Sequence, residues 1–121
     1  MNNNIPMDEL LNFNDLDFQP HRGTNDAIQA RLDLGNGLEI SVVANTGDGH
    51  GLYGNVVDDL YEVAIFNDDG MIPLSVADDV LGWQSPAQVS KHMRDAQLNG
   101  DAWVNLLKNL RKEHRMELDL D

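Results

Sequence analysis

Apolar residues along this chain change their period twice. Residues 27–34 alternate, with Ile28, Ala30, Leu32 and Leu34 set against Gln29, Arg31 and Asp33. Period two is the signature of a half-buried strand. Gly35-Asn36-Gly37 follows, and Leu38, Ile40, Val42 and Ala44 then share one face of a return strand. Asn-Gly between two alternating runs predicts a tight hairpin. Residues 60–66 are apolar on both faces except at Glu62, which predicts a central, buried strand. Asn67-Asp68-Asp69-Gly70 has the composition of a turn. Residues 71–76 read as a further short strand, which Pro73 assigns to an edge or a bulge.

The period then lengthens to that of a helix. Ser85-Pro86-Ala87-Gln88 combines a capping box with Pro at the first helical position. Val89, Met93 and Ala96 recur at i, i+4 and i+7, and Asn99-Gly100 closes the helix. Asp101 caps a second helix, whose apolar stripe is Trp103, Leu106, Leu107 and Leu110. The expected fold is α+β: an antiparallel meander of about four strands, then two helices packed on the sheet. Residues 27–121 would form that single domain.

Residues 1–26 keep no period, and Pro6, Pro20 and Gly23 interrupt them. They read as a flexible acidic arm. Within it, Leu10, Leu11, Phe13, Leu16 and Phe18 lie among acids, the composition of a segment that folds on a partner or packs on its own domain.

Charge changes this picture more than composition does. The 121 residues carry 21 acids and 8 bases, a net of −13. Residues 1–80 hold 15 of the acids and two bases, Arg22 and Arg31, whereas residues 81–121 balance six against six. Such asymmetry leaves a cationic partner, or none, and argues against direct nucleic-acid binding. A folded chain of this mass exposes on the order of 6,500 Å², so its net charge averages about one per 500 Å². Duplex DNA carries roughly one per 100 Å² of its cylinder. DNA mimicry would require the acids to line one face. There is no Cys, hence no disulfide framework or thiolate. No apolar run reaches a membrane span, and Met1-Asn2-Asn3-Asn4 is not a secretory signal, so the cytoplasm is the expected location.

Candidate chemistry is sparse. Gly49-His50-Gly51-Leu52-Tyr53-Gly54 has the letters of a dinucleotide fingerprint, but it leads toward Asp58, Asp59 and a strand rather than a helix. Two readings of loop 47–54 remain: a strand connection, or the lip of a ligand or partner site to which Asp48, His50 and Tyr53 contribute. Acid pairs recur at Asp58-Asp59, Asp68-Asp69 and Asp78-Asp79. Alternating turns of a meander would bring the first and third pairs to one end of the sheet and the second to the other. They form an acidic partner surface or solvated turns that guard sheet edges. No EF-hand spacing and no H-E-x-x-H is present, so no metal or other cofactor is expected. His21, His50, His92 and His114 lack catalytic spacing, and the chain reads as non-enzymatic. Lys108, Arg111, Lys112 and Arg115 line one side of the last helix. Their like-charge i,i+4 spacing calls for acids of this domain or of a second copy, as in a homodimer.

Gly51-Leu52-Tyr53-Gly54, Tyr61-Glu62-Val63-Ala64-Ile65-Phe66 and Asp78-Asp79-Val80-Leu81-Gly82-Trp83-Gln84-Ser85-Pro86-Ala87-Gln88-Val89 together resemble small bacteriophage-encoded accessory proteins. The resemblance covers roughly residues 38–96. In it, Gly-Trp-Gln-Ser-Pro is a strand-to-helix junction, with Trp83 covering the core and Ser85 capping. It implies a protein that binds and inhibits a host factor for defence or nucleic-acid handling, here through an acidic surface facing a basic one. The alternative is a small-ligand, nucleotide-binding or structural module built on loop 47–54.

Overall fold

The computed structural model describes residues 10–74 and 79–119, with side chains described as far as Glu113. The fold is α+β. Six antiparallel strands form one sheet: β1 (Gln19–Pro20), β2 (Ala27–Gly35), β3 (Leu38–Asn45), β4 (Tyr61–Asn67), β5 (Gly70–Met71) and β6 (Val80–Gln84). One helical element, α1 (Pro86–Asp119), follows.

The β2–β3 hairpin closes as expected. Gly35 pairs with Leu38, and Asn36 and Gly37 take φ of 56° and 75°, the left-handed pair that matches strand twist. Strand β4 lies beside β3, with Ile40 opposite Ile65 and Val42 opposite Val63. The far edge of β4 is shared. Short β5 pairs with Phe66 and Asn67, and β6 pairs with the stretch from Tyr61 to Ala64. The strand count rises from four to six because β1 and β6 are not among the expected strands, while the expected 71–76 strand is reduced to β5, which stops at Met71. Ile72 keeps one backbone bond to β4, its N–H donating to Ile65 O at 2.7 Å, and Ile72 and Leu74 are buried in the core. Residues 75–76 of that expected strand lie outside the described residues.

Register decides the core. Leu38, Ile40, Val42 and Ala44 on β3 align with Tyr61, Val63 and Ile65 on β4, and all are buried against Val89, Met93, Ala96 and Val104 of α1. Among the described residues, no helix packs on the opposite face. There Arg31 lies over the Phe66 ring and bonds Glu39 at 2.6 Å, so long polar side chains shield Val43 and Ala64.

The α1 start is the expected capping box: Gln88 N–H donates to Ser85 Oγ, and Ser85 N–H donates to Gln88 Oε1. At Gly100 the backbone turns to φ 49°, ψ −123°, a conformation closed to other residues, which divides α1 into segments 86–99 and 101–119. The two expected helices are therefore one element with an internal break. The apolar stripe of the second segment is also corrected: Val104 is buried and Trp103 and Leu107 pack on the core, while Leu106 and Leu110 face solvent.

Residues 10–26 are not a separate flexible arm. Leu10 is buried, and Leu11, Phe13, Leu16 and Phe18 pack against the core. Phe13, Phe18 and Tyr61 form a ring trio with centroids 4.9–5.8 Å apart. Side chains from α1 satisfy the arm backbone, since Phe13 N–H donates to Ser90 Oγ at 3.0 Å. The sheet face is wider than one helix can cover, and the arm covers the remainder. Residues 1–9 of the expected arm lie outside the described residues.

Candidate functional site

Loop 46–60 between β3 and β4 is tied down at several points. Thr46 N–H donates to Asp26 O at 2.7 Å, and Asn55 and Leu60 exchange backbone bonds of 2.8 and 3.2 Å. Asn55 caps a 3-10 turn, Val56–Asp58, by accepting from Val57 N–H at 2.7 Å. Asp59 closes that turn in the left-handed region and accepts a 2.9 Å bond from Tyr61 Oη. Burial, and secondarily the hydrogen bond and charge of Asp59, push the Tyr61 phenol up to about 12.

Beneath the loop sits Asn45, only 3% exposed. Its Nδ2 donates to Leu52 O at 2.9 Å and to Gly54 O at 2.8 Å. Both acceptors are carbonyls, which fixes the orientation of the amide. Its Oδ1 is buried and has no hydrogen-bond partner among the described residues.

Strand β6 completes the site through a bulge. Tyr61 pairs with Gln84 and Val63 with Leu81, so Glu62 alone faces both Gly82 and Trp83. Trp83 takes φ 55°, a left-handed conformation that is an outlier for a bulky residue. The bulge turns its side chain outward, and it is 52% exposed. Trp83 therefore does not cover the core. Its N–H donates to Tyr53 O at 2.7 Å, and Tyr53 N–H donates to Glu62 Oε1 at 3.0 Å. A Cβ on Gly82 would overlap Tyr53 Cβ, so only glycine lets β6 approach the loop this closely.

The result is an open cleft of about 440 Å³ lined by Asn45, Gly49, His50, Leu52, Tyr53 and Trp83, with Gly51 and Asn55 completing its wall. Tyr53 is 61% exposed at the rim, and the neighbouring turn presents Val57, 78% exposed. Segment 45–62 carries Asp48, Asp58, Asp59 and Glu62 and no Lys or Arg. No Ser, Thr, Cys or carboxylate is among the lining residues. The cleft thus offers aromatic faces and neutral polar groups, within a segment whose acids outnumber its Lys and Arg four to none.

The structure separates the acid pairs. Asp58 and Asp59 flank the start of β4, whereas Asp68 and Asp69 follow its end. Strand β6 starts opposite Ala64 and ends opposite Tyr61, so Asp79 approaches from the C-terminal half of β4. The first and third pairs do not share a sheet end as a simple meander would require. Asp79 also bonds Arg111 of α1, whose side chain is only 13% exposed. Asp78 lies outside the described residues. Of the basic stripe, Arg111 is thereby engaged within the domain, Lys108 and Lys112 are exposed, and the Arg115 side chain is outside the described set. Among the loop candidates, His50 and Tyr53 line the cleft, while Asp48 is exposed beside it. Among the described residues, no three His, Asp or Glu side chains are placed to hold a metal ion. No helix among them is long and apolar enough to cross a membrane.

Pattern reading missed Asn45, Asn55, Val57 and the outward turn of Trp83. Gly82 carried a usable signal, because an isolated glycine inside a strand marks a bulge or a close backbone approach. Compared with protein families, with curated proteins and with solved structures, the chain finds no match.

Proposed function

We propose that this chain is a non-catalytic binding protein of the phage accessory type, which engages and inhibits a host protein carrying a basic surface. The observation that carries this reading is that exposed Tyr53 and Trp83 line one cleft, with exposed Val57 on the turn that follows, and that segment 45–62 has four acids and no Lys or Arg. Aromatic anchors dominate the energetics of protein interfaces, and acids beside them steer a basic partner and set its orientation. The acidic surface is thereby narrowed to the Asp58-Asp59 end. Asp68 and Asp69 lie at the opposite end of β4, and Asp79 is engaged by Arg111.

The immobilised chain, presented to a bacterial lysate at low and at high salt beside its Trp83→Ala variant, tests the proposal. Capture of a partner that weakens with salt and with the substitution supports it. Salt-insensitive capture, or none, overturns the acidic-surface mechanism.

A second reading, a small-ligand module on loop 47–54, is favoured by the cleft volume of about 440 Å³, which suits a small molecule. Thermal-shift measurements with nucleotides and divalent cations separate the two, since a clear stabilisation by either favours this alternative.

A further inference from the structure

We propose that the cleft receives the guanidinium of an arginine on the partner protein, stacked against Trp83. This rests on the protein-binding reading above and adds the chemistry of the contact.

Charge selects a cation. Segment 45–62 carries four carboxylates and no Lys or Arg; none of the four lines the cleft itself, and the Glu62 carboxylate accepts the N–H of Tyr53, which does. A phosphate or carboxylate would enter a segment with four acids and no Lys or Arg. It would also find no long helix N-terminus here, because the loop opens into a three-residue 3-10 turn.

Hydrogen bonding selects a donor. Asn45 lines the cleft, is 3% exposed, and leaves Oδ1 without a hydrogen-bond partner among the described residues. A buried acceptor without a donor is uncommon in a native fold and asks for an explanation. Because Oδ1 is itself buried, an N–H donor reaches it only from within the cleft wall, between the loop and Asn45.

Geometry selects a planar group. Trp83 is held at φ 55° on a bulge, strained and half exposed, where glycine would be the easy residue. Backbone strain that persists at an exposed aromatic points to use of that aromatic. Indole is the best cation-π surface among side chains. Arginine stacks its plane on an aromatic face while its edge donates hydrogen bonds, whereas the compact, strongly hydrated lysine ammonium does one or the other.

The test uses the full ¹⁵N-labelled chain and three blocked peptides that differ only in carrying arginine, lysine or the uncharged arginine isostere citrulline. The expected result is saturable movement of the Trp83 indole N–H and the Gly49–Gly54 amides with the arginine peptide. Binding should be at least tenfold weaker with lysine and absent with citrulline. Trp83→Ala should lose at least tenfold, and Trp83→Phe should retain part of the affinity, with unperturbed core resonances showing that both fold. Equal response to lysine and arginine, response outside the cleft, or no saturation up to the order of 100 mM overturns the proposal. The two readings fail separately. A lysate partner that binds wild type and Trp83→Ala equally removes the arginine site alone. Arginine-peptide binding without any salt-sensitive partner removes the protein-binding function and leaves the site chemistry standing.

Discussion

Gln97 holds Leu11 by both of its backbone groups. Leu11 N–H donates to Gln97 Oε1 at 2.8 Å, and Gln97 Nε2 donates to Leu11 O at 2.8 Å. The same Nε2 donates to Met93 O at 3.0 Å, so one nearly buried amide joins the arm to the first segment of α1. A side chain here replaces a strand partner.

Replacing Gln97 with Ala should therefore cost more than one average hydrogen bond. Two partly buried backbone groups of Leu11 lose their partners, and about 2–3 kcal/mol is expected. Urea denaturation measures the loss. Amide exchange should show Leu11 and Phe13 opening before the sheet does.

Trp83→Gly and Trp83→Ala should separate backbone strain from side-chain loss. Both remove the indole, but only glycine relieves φ 55°. The glycine variant should be the more stable by about 1 kcal/mol, read as a higher urea midpoint at unchanged slope. Equal midpoints would show that the bulge carries no strain.

Gly100→Ala should destabilise by about 1–3 kcal/mol, because φ 49°, ψ −123° excludes a side chain. A Cβ there would also lie 3.3 Å from Asn36 Nδ2, in the hairpin turn. If the helix instead straightens through the break, Trp103 and Val104 leave the core, and the near-ultraviolet signal of Trp103 should change with the stability.

Two groups set opposite pH limits. Burial lowers the His92 pKa from 6.5, Lys91 lowers it further, and Asp95 partly opposes them. The unfolded chain then takes up the proton first, so this contribution is complete above about pH 6.5 and is lost as pH falls. Tyr61 behaves in reverse. Its contribution is complete below pH 10 and is lost as pH rises toward about 12. Urea midpoints across pH should fall at both ends. His92→Gln should flatten the region just below pH 6.5, and Tyr61→Phe the region above pH 10.

Legibility in the sequence followed the range of the interactions. The Asn36-Gly37 turn, the Ser85–Gln88 capping box and the Gly100 break each depend on a few adjacent residues, and all three were readable. The shared face of β3 was readable because period two leaves little choice of which side is buried. Trp83 was misread. Its apolarity indicates burial, and only pairing of β6 with β4 creates the bulge that turns it outward. Asn45 gave no signal either, since a buried amide and a solvated one look alike in a polar stretch.

The sequence by itself determined an α+β chain with a β2–β3 hairpin, a capped helix start at Ser85, an interruption at Gly100 that it read as the boundary of two helices, and negative charge concentrated in its first two thirds. Tertiary structure decided the rest. It docked residues 10–18 on the core, set β6 beside β4 rather than in simple meander order, engaged Asp79 with Arg111, and placed Tyr53 and Trp83 around one cleft. The physical reason is the same in each case. Local preference chooses turns, caps and exposed faces, whereas contacts between distant segments are chosen by which surfaces remain uncovered once those elements have formed.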